Sequence, residues 1–452
     1  MSRHVHFIGI GGIGVSGIAQ LALKHGDLVS GSDIKESAIT SKLAAMGARV
    51  FIGHKAENIT GADLVVYSSA IRPDNPERAK AERSGIPVMR RAEFLSELMS
   101  DKKVITITGA HGKTTTSSLA AKLLMDSGLN PTVAVGGILR EDGDNAKFGE
   151  SDYFVAEADE SDGTFLCYRP AYSIITNIDY EHMDFYRTTE NLLRSFYTFV
   201  NQTEKNGCVF YCFEDEPLKS IVKSSPVKAI SFGYSPDADF SAQGIRLAQC
   251  RLRFTVLRKG LELGELDMAL MGRHNVLNAL AVVALGTELG LDFSKIQKAL
   301  AGFKGVERRF QVKYEDADVF IVDDYAHHPT EICATIEAAK VCPRSRLVVV
   351  FQPHRYSRTK LLMDKFAGCF AKSDYLMVTD IYAADEEDTA GVSAMDIVDN
   401  VRHNSGTCAD YVPKDEIVDR LKSQMQPGTM VLFLGAGDIT KISDEFAETF
   451  KK

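Results

Sequence analysis

The chain has 452 residues, 45% hydrophobic and 25% charged, proportions of a folded globular protein that exclude a disordered, collagen-like or coiled-coil chain. At roughly 100 to 200 residues per domain, this length predicts two to four domains, with three as the central expectation. Lys plus Arg number 52 against 61 Asp plus Glu, a net charge of −9, which argues against nucleic acid or a membrane surface as partner, because both recruit clustered cations.

From His4 to Ile10 an apolar run ends in Gly9, Gly11, Gly12 and Gly14, and a helical pattern follows through Leu23. Strand, glycine turn and helix open a nucleotide-binding βαβ unit. Strands at Leu28 to Ser30, Val50 to Ile52 and Leu64 to Tyr67, with a helix near Ser37 to Met46, continue the alternation and favour a parallel sheet. A charged stretch, Ser100 to Lys103, places a domain boundary near Asp101. A second start follows: the β-branched strand Lys103 to Thr108 feeds a glycine loop and a helix from Lys113 to about Ser127. Strands at Tyr153 to Ala156 and Ser173 to Thr176 come next, Phe240 to Leu270 reads as antiparallel hairpins, and Asn275 to Leu289 as a helix stopped by Gly290. The next boundary belongs near Arg309 or Phe310. Val319 to Val322 opens a third doubly wound region, with Pro329 in a first helical turn and strands at Leu347 to Phe351, Tyr375 to Thr379 and Met430 to Leu434.

The expected fold is therefore α/β in three domains: a Rossmann-like N-terminal domain (1–101), a P-loop-like central domain with added antiparallel strands (102–310), and a Rossmann-like C-terminal domain (311–452). No apolar run approaches the ~18 residues of a membrane span. The start lacks a signal peptide's long apolar stretch, and the eight cysteines, with Cys208 and Cys212 the one close pair, read as reduced thiols of a cytoplasmic protein.

Three groups of residues carry chemistry. Gly9, Gly11, Gly12 and Gly14 fit G-x-G-x-x-G, with Asp33 some twenty residues on; glycines let the backbone approach a diphosphate and the acid accepts ribose or base donors. Whether that ligand is NAD or another diphosphate-linked nucleotide stays open on these residues. In the second group, Thr108-Gly109-Ala110-His111-Gly112-Lys113-Thr114, backbone amides cradle phosphates, Lys113 neutralises the β and γ oxygens and the Thr114 hydroxyl reaches magnesium. Two residues separate Gly109 from Gly112 where the common loop has four. Glu157 and His182 follow strand ends that converge on the same crevice and are candidate ligands of the metal, with a core histidine as the alternative for His182. In the third group, Arg355 and Arg358 share one face of a helical turn and clamp a carboxylate, or form a solvated face, while His327 orients an amine. His274 and Asn278 open a helix, and Arg308-Arg309 at the domain joint touch phosphate or cap the interface.

Together these segments resemble the Mur ligases, ATP-dependent amide-forming enzymes of peptidoglycan precursor synthesis, over essentially the whole chain. The loop resembles the family's G-T-x-G-K-T with Ala110 in place of Thr. The resemblance implies that Gly9, Gly11, Gly12, Gly14, Asp33, Ser68, Ser69 and Ala70 bind the UDP part of UDP-N-acetylmuramate, not NAD. It implies ATP on Gly109, Ala110, His111, Gly112, Lys113, Thr114, Thr115, His274, Asn278 and Arg309, and Mg²⁺ on Thr114, Glu157 and His182. Tyr325, His327, Arg355 and Arg358 then receive the amino acid, and Lys113, His182 and His327 are the catalytic set. The implied reaction joins L-alanine to UDP-N-acetylmuramate through an acyl phosphate, in a monomer or homodimer; the alternative is a recycling ligase that joins a tripeptide to the same nucleotide.

Overall fold

The computed structural model describes residues 2–68, 70–138, 140, 144–180, 182–248, 250–384, 386–388 and 391–451. Its strands form three sheets, and their central strands are aliphatic runs buried on both faces, as parallel strands under helices must be. Met1–Gln243, Thr255–Leu266 and Leu277–Phe303 make one compact unit; Gly244–Phe254, Asp267–Val276 and Lys304–Lys452 make a second. No described helix is long and apolar enough to cross a membrane.

The first sheet contains β1 (His4–Ile8), β2 (Leu28–Asp33), β3 (Arg49–Ile52), β4 (Leu64–Tyr67) and β5 (Val88–Arg90) in the order β3-β2-β1-β4-β5, all parallel. Helices α1 (Ile13–His25), α2 (Ala38–Ala45), α3 (Pro76–Arg83) and α4 (Arg91–Leu98) make the connections. The chain winds outward from β1 through β3, then returns to the other side of β1 at β4. That reversal opens a crevice beyond the carboxyl ends of β1 and β4, where ligands bind in such sheets. The strand ends at Ile8, two residues before the apolar run does, because Gly9 at φ 79° turns the chain into α1.

Glu77, fully buried in the first turn of α3, ties this sheet together. Its carboxylate accepts from Ser32 Oγ at 2.5 Å, Asn58 Nδ2 at 2.6 Å and the Lys55 amide at 3.2 Å, and lies 3.6 Å from His6 Nε2. Burial alone would raise its pKa, but His6, Ser32 and Asn58 reverse that and hold it at about 2. A depressed carboxylate stabilises the fold above pH ~4.5, and that contribution is lost as pH falls toward 2. Glu77→Gln should therefore lower stability at pH 7 by on the order of 2–3 kcal/mol and flatten the acid limb between pH ~4.5 and ~2. Urea unfolding at a series of pH values checks this; an unchanged acid limb would refute it.

The second sheet runs β15-β14-β13-β12-β11-β10-β6-β9-β7-β8. Its strands are β6 (Lys103–Thr108), β7 (Thr132–Ala134), β8 (Ala146–Lys147), β9 (Tyr153–Glu157), β10 (Tyr172–Ile175), β11 (Cys208–Cys212), β12 (Ala229–Gly233), β13 (Phe240–Ala248), β14 (Arg251–Arg258) and β15 (Leu261–Met268). Helices α5 (Lys113–Asp126), α6 (Met183–Tyr186), α7 (Thr189–Gln202), α8 (Glu216–Lys223), α9 (His274–Glu288) and α10 (Phe293–Ala301) accompany them. Strands β7, β9, β6, β10, β11 and β12 pair in parallel, and β6 lies between β9 and β10, so its carboxyl end is a second switch point. The hairpins expected over Phe240 to Leu270 are present: Lys259 (φ 48°) and Gly260 (φ 77°) close β14 onto β15 with the left-handed backbone of a tight two-residue turn. Within the same compact unit β8 packs on α1, where a Cβ on Gly17 would meet Ala146 and Asn145 at 3.1–3.3 Å.

The third sheet, β16-β17-β21-β18-β19-β20, consists of β16 (Gln311–Glu315), β17 (Val319–Asp324), β18 (Arg346–Phe351), β19 (Tyr375–Val378), β20 (Ala409–Tyr411) and β21 (Thr429–Leu434). Helices α11 (Pro329–Lys340), α12 (Tyr356–Leu361), α13 (Met363–Cys369), α14 (Ala394–Ser405), α15 (Ile417–Gln424) and α16 (Ile439–Glu448) complete it. All its pairs are parallel except the edge strand β16, which the sequence pattern did not reveal. β17 and β18 flank β21, so the loops after them emerge at the same end of the sheet.

Candidate active site

The loop after β6 is shaped by two close approaches. Gly109 sits at φ 119°, where a Cβ would come within 2.4 Å of Thr176 Oγ1 and 2.6 Å of Asn177 O; Gly112 sits at φ 85°, where a Cβ would meet Asn278 Oδ1 at 2.6 Å. Only glycine fits either place. Asn278 of α9 thus packs against the loop, while His274 forms the first turn of that helix over Gly272. Thr114 and Thr115 lie in the first turn of α5, whose amino end directs backbone N–H groups toward the loop.

Lys113 Nζ donates to Gly109 O at 2.6 Å, Ala110 O at 3.1 Å and Glu160 Oε1 at 2.8 Å. Burial would lower its pKa, but Glu160, Asp159 and Glu157 more than reverse this, and the ammonium stays firmly charged. Burial pushes the Glu160 carboxyl up while Lys113 draws it back. The two tendencies oppose each other, and the ion pair wins: a 2.8 Å contact with two more carboxylates nearby fixes the proton on nitrogen. Glu160 was hidden in the acidic run Glu157 to Asp162, where only Glu157 stood out as a ligand candidate.

Glu157, at the end of β9, faces α5. Its carboxylate lies 3.4 Å from Thr114 Oγ1 and 3.5 Å from Ser117 Oγ and accepts the Gly136 amide at 3.0 Å. A hydroxyl and a carboxylate side by side are the oxygen donors that magnesium takes, so these residues fit the implied ion. His182 follows β10 at φ 58° and leads into α6.

On the first sheet, Asp33 Oδ2 accepts the Gly11 amide at 2.9 Å, so the acid braces the glycine loop itself. Gly9 faces Ser68, and Ala70 is exposed; Ser69 lies outside the described residues. A Cβ on Gly14 would meet Arg91 Nη1 at 2.4 Å, which sets a guanidinium from α4 over the loop. Sequence reasoning missed Arg91 because it lies far along the chain, within an ordinary charged stretch.

In the second unit, Arg308 and Arg309 lie over the Tyr325 ring at 4.9 and 5.1 Å, with His327 5.5 Å from Tyr325 and 5.6 Å from His354. Burial first, then Arg358, holds His327 down at about 4 against the pull of Glu331. His327 is neutral at pH 7. Its Nδ1 faces the Tyr325 carbonyl at 3.1 Å and Glu331 at 3.3 Å, both acceptors, so the proton resides there and Nε2 presents the lone pair. Arg355 stands before α12 at φ 68°, 4.0 Å from Glu386, whereas Arg358 inside the helix reaches His354 Nδ1 at 3.3 Å. Arg355 is thus the N-cap of α12 and Arg358 lies in its first turn beside His354, a residue that sequence reasoning did not single out.

Family comparison covers most of the chain in three pieces. Residues 4–103 match the model "Mur ligase family, catalytic domain", 107–286 the "Mur ligase middle domain" and 308–437 the "Mur ligase, glutamate ligase domain". A protein of Syntrophobacter fumaroxidans named UDP-N-acetylmuramate--L-alanine ligase is 48% identical over 98% of this chain and 95% of its own length. One of the same name from Anaeromyxobacter dehalogenans (strain 2CP-1 / ATCC BAA-258) is 46% identical over 98% of this chain and 96% of its own. The solved UDP-N-acetylmuramate-alanine ligase of Thermotoga maritima superposes with a TM-score of 0.86 at 32% identity, covering 99% of both chains. With all three models matched in order and near half of its residues shared with such relatives, the chain belongs to the Mur ligase family.

Proposed function

We propose that this chain joins L-alanine to the lactyl carboxylate of UDP-N-acetylmuramate, converting ATP to ADP and phosphate, as a cytoplasmic step of peptidoglycan precursor synthesis. The observation that carries the reading is 48% identity across 98% of the chain to a protein named for that reaction. With domains at 1–101, 102–310 and 311–452, each domain has its own sheet and its own substrate, in turn the muramyl nucleotide, ATP and the amino acid. Carboxylate is a poor electrophile at neutral pH, so one of its oxygens first takes the γ-phosphoryl group and ADP departs. The alanine amine then attacks the acyl carbon, and phosphate leaves.

In this reading the residues divide the work by chemistry. The glycine loop with Asp33, Ser68, Ser69 and Ala70 receives the UDP moiety, and the Arg91 guanidinium over Gly14 supplies positive charge near the diphosphate. The loop Gly109 to Thr115, with Asn278 packed on it, receives the ATP phosphates, and Lys113 offsets charge as the phosphoryl group moves. Thr114, Glu157 and His182 would hold magnesium, which when bound neutralises phosphate oxygens. Arg355 and Arg358 receive the alanine carboxylate beside Tyr325, and the Nε2 lone pair of neutral His327 accepts a proton from the attacking amine.

Phosphate release from ATP with UDP-N-acetylmuramate, screened against the twenty amino acids and the muropeptide tripeptide, tests the assignment. L-Alanine should give the highest kcat/KM. A clear preference for the tripeptide would transfer the chain to the recycling reaction.

A further inference from the structure

The short loop that carries Lys113 is not held by its own turns alone. Asn177, just past β10, clasps one loop residue at both its backbone polar groups: Oδ1 accepts the His111 N–H at 2.9 Å, and Nδ2 donates to His111 O at 2.9 Å. Only this amide orientation satisfies both groups. The Asn177 backbone carbonyl also accepts the Ala110 N–H at 3.2 Å, and the Thr176 hydroxyl lies 2.6 Å from His111 O. Gly109 closes on the same pair of residues so tightly that no Cβ fits. The clasp is itself anchored, because the next amide, Ile178 N–H, donates at 2.6 Å to Asp215, which also caps α8 through Leu218 at 2.9 Å.

We propose that Asn177 is a positioning residue for the nucleotide loop, its side-chain amide standing in for the backbone partner that a neighbouring strand would supply. The inference rests on the reading that Gly109 to Thr115 holds the ATP phosphates. With two residues between its glycines, the loop is short, and the contacts from Thr176 and Asn177 fix the backbone at its centre. Removing the clasp takes the Asn177 bond from both polar groups of His111, leaving the Thr176 hydroxyl on its carbonyl, and the loop shifts with Lys113 at its end. A misplacement of that kind costs phosphoryl transfer about 10- to 100-fold. The muramyl-nucleotide loop on the other sheet makes none of these contacts.

The test is Asn177→Ala and Asn177→Asp in the full chain, with kcat and KM for ATP and for UDP-N-acetylmuramate, and the unfolding midpoint, measured side by side. Asn177→Ala should lower kcat/KM for ATP about 10- to 100-fold and leave KM for UDP-N-acetylmuramate unchanged. Asn177→Asp keeps the acceptor for the His111 amide and loses the donor, so it should show the same split at smaller size; it carries the test if the alanine variant does not fold. Wild-type ATP kinetics in a folded variant, or a KM for UDP-N-acetylmuramate that rises as much as the KM for ATP, would overturn the proposal. Lys113→Ala run in parallel separates the two ideas: if it too turns over normally, the reading of the loop fails, whereas an inactive Lys113→Ala beside normal Asn177 variants removes only the clasp.

Discussion

Lys113→Ala should reduce ATP-dependent product formation by about 10³-fold or more while UDP-N-acetylmuramate still binds. The size follows from removing a fixed cation from a site where phosphoryl charge moves, an effect of about 10²–10³ for one preorganised donor and more for a cationic one. Retained binding follows from separate sheets, since the muramyl nucleotide is assigned to the loop after β1. The same substitution leaves Glu160 buried without its ion-pair partner, which typically costs about 3–5 kcal/mol. The double variant Lys113→Met with Glu160→Gln removes that charge, so it should regain stability and stay inactive. Calorimetric titration with UDP-N-acetylmuramate, phosphate release and thermal unfolding together check these outcomes; a double variant that recovers turnover would show that the lysine acts through folding alone.

Arg355→Ala and Arg358→Ala should each raise KM for L-alanine about 10- to 100-fold with little change in kcat, the range expected when one charge-assisted hydrogen bond to a carboxylate is lost. A change confined to KM is the mark of binding felt equally before and during reaction. Arg358→Lys keeps the charge but loses the fork that also reaches His354, so it should fall between wild type and alanine. Phosphate release against alanine concentration at saturating ATP measures this. An alanine KM that does not move in either variant would remove the clamp.

The switch points were legible because they are made of strong local signals. A β-branched run followed by glycine states both where a strand stops and why, and the loops at Gly9 and Gly109 needed nothing else. Edge strand β16 was not legible: Gln311–Glu315 is short and half exposed, so no apolar alternation marks it. The stretch after Asn177 hid α7, α8, β11 and β12, whose boundaries depend on caps such as Asp215 more than on composition. In the candidate site, residues next to a glycine loop were visible, whereas Glu160, Asn177, Arg91 and His354 act through chain-distant contacts. The sequence contains their identities but not their neighbours. At Arg355 the spacing pointed to a helical turn, and the helix begins one residue later because the backbone stands at φ 68° there.

Every hydrogen of the Lys113 ammonium already has an acceptor, two from the loop's own carbonyls and one from Glu160. On the proposed reading, an incoming triphosphate exchanges partners at that nitrogen and does not add one. On that reading the cation adds little net grip on resting ATP, and ground-state affinity rests on backbone amides and the adenosine contacts. Its charge counts most once electron density builds on the migrating phosphoryl oxygens and outcompetes the carbonyls, which turns an interaction wasted on tight storage into one that speeds the crossing of the barrier.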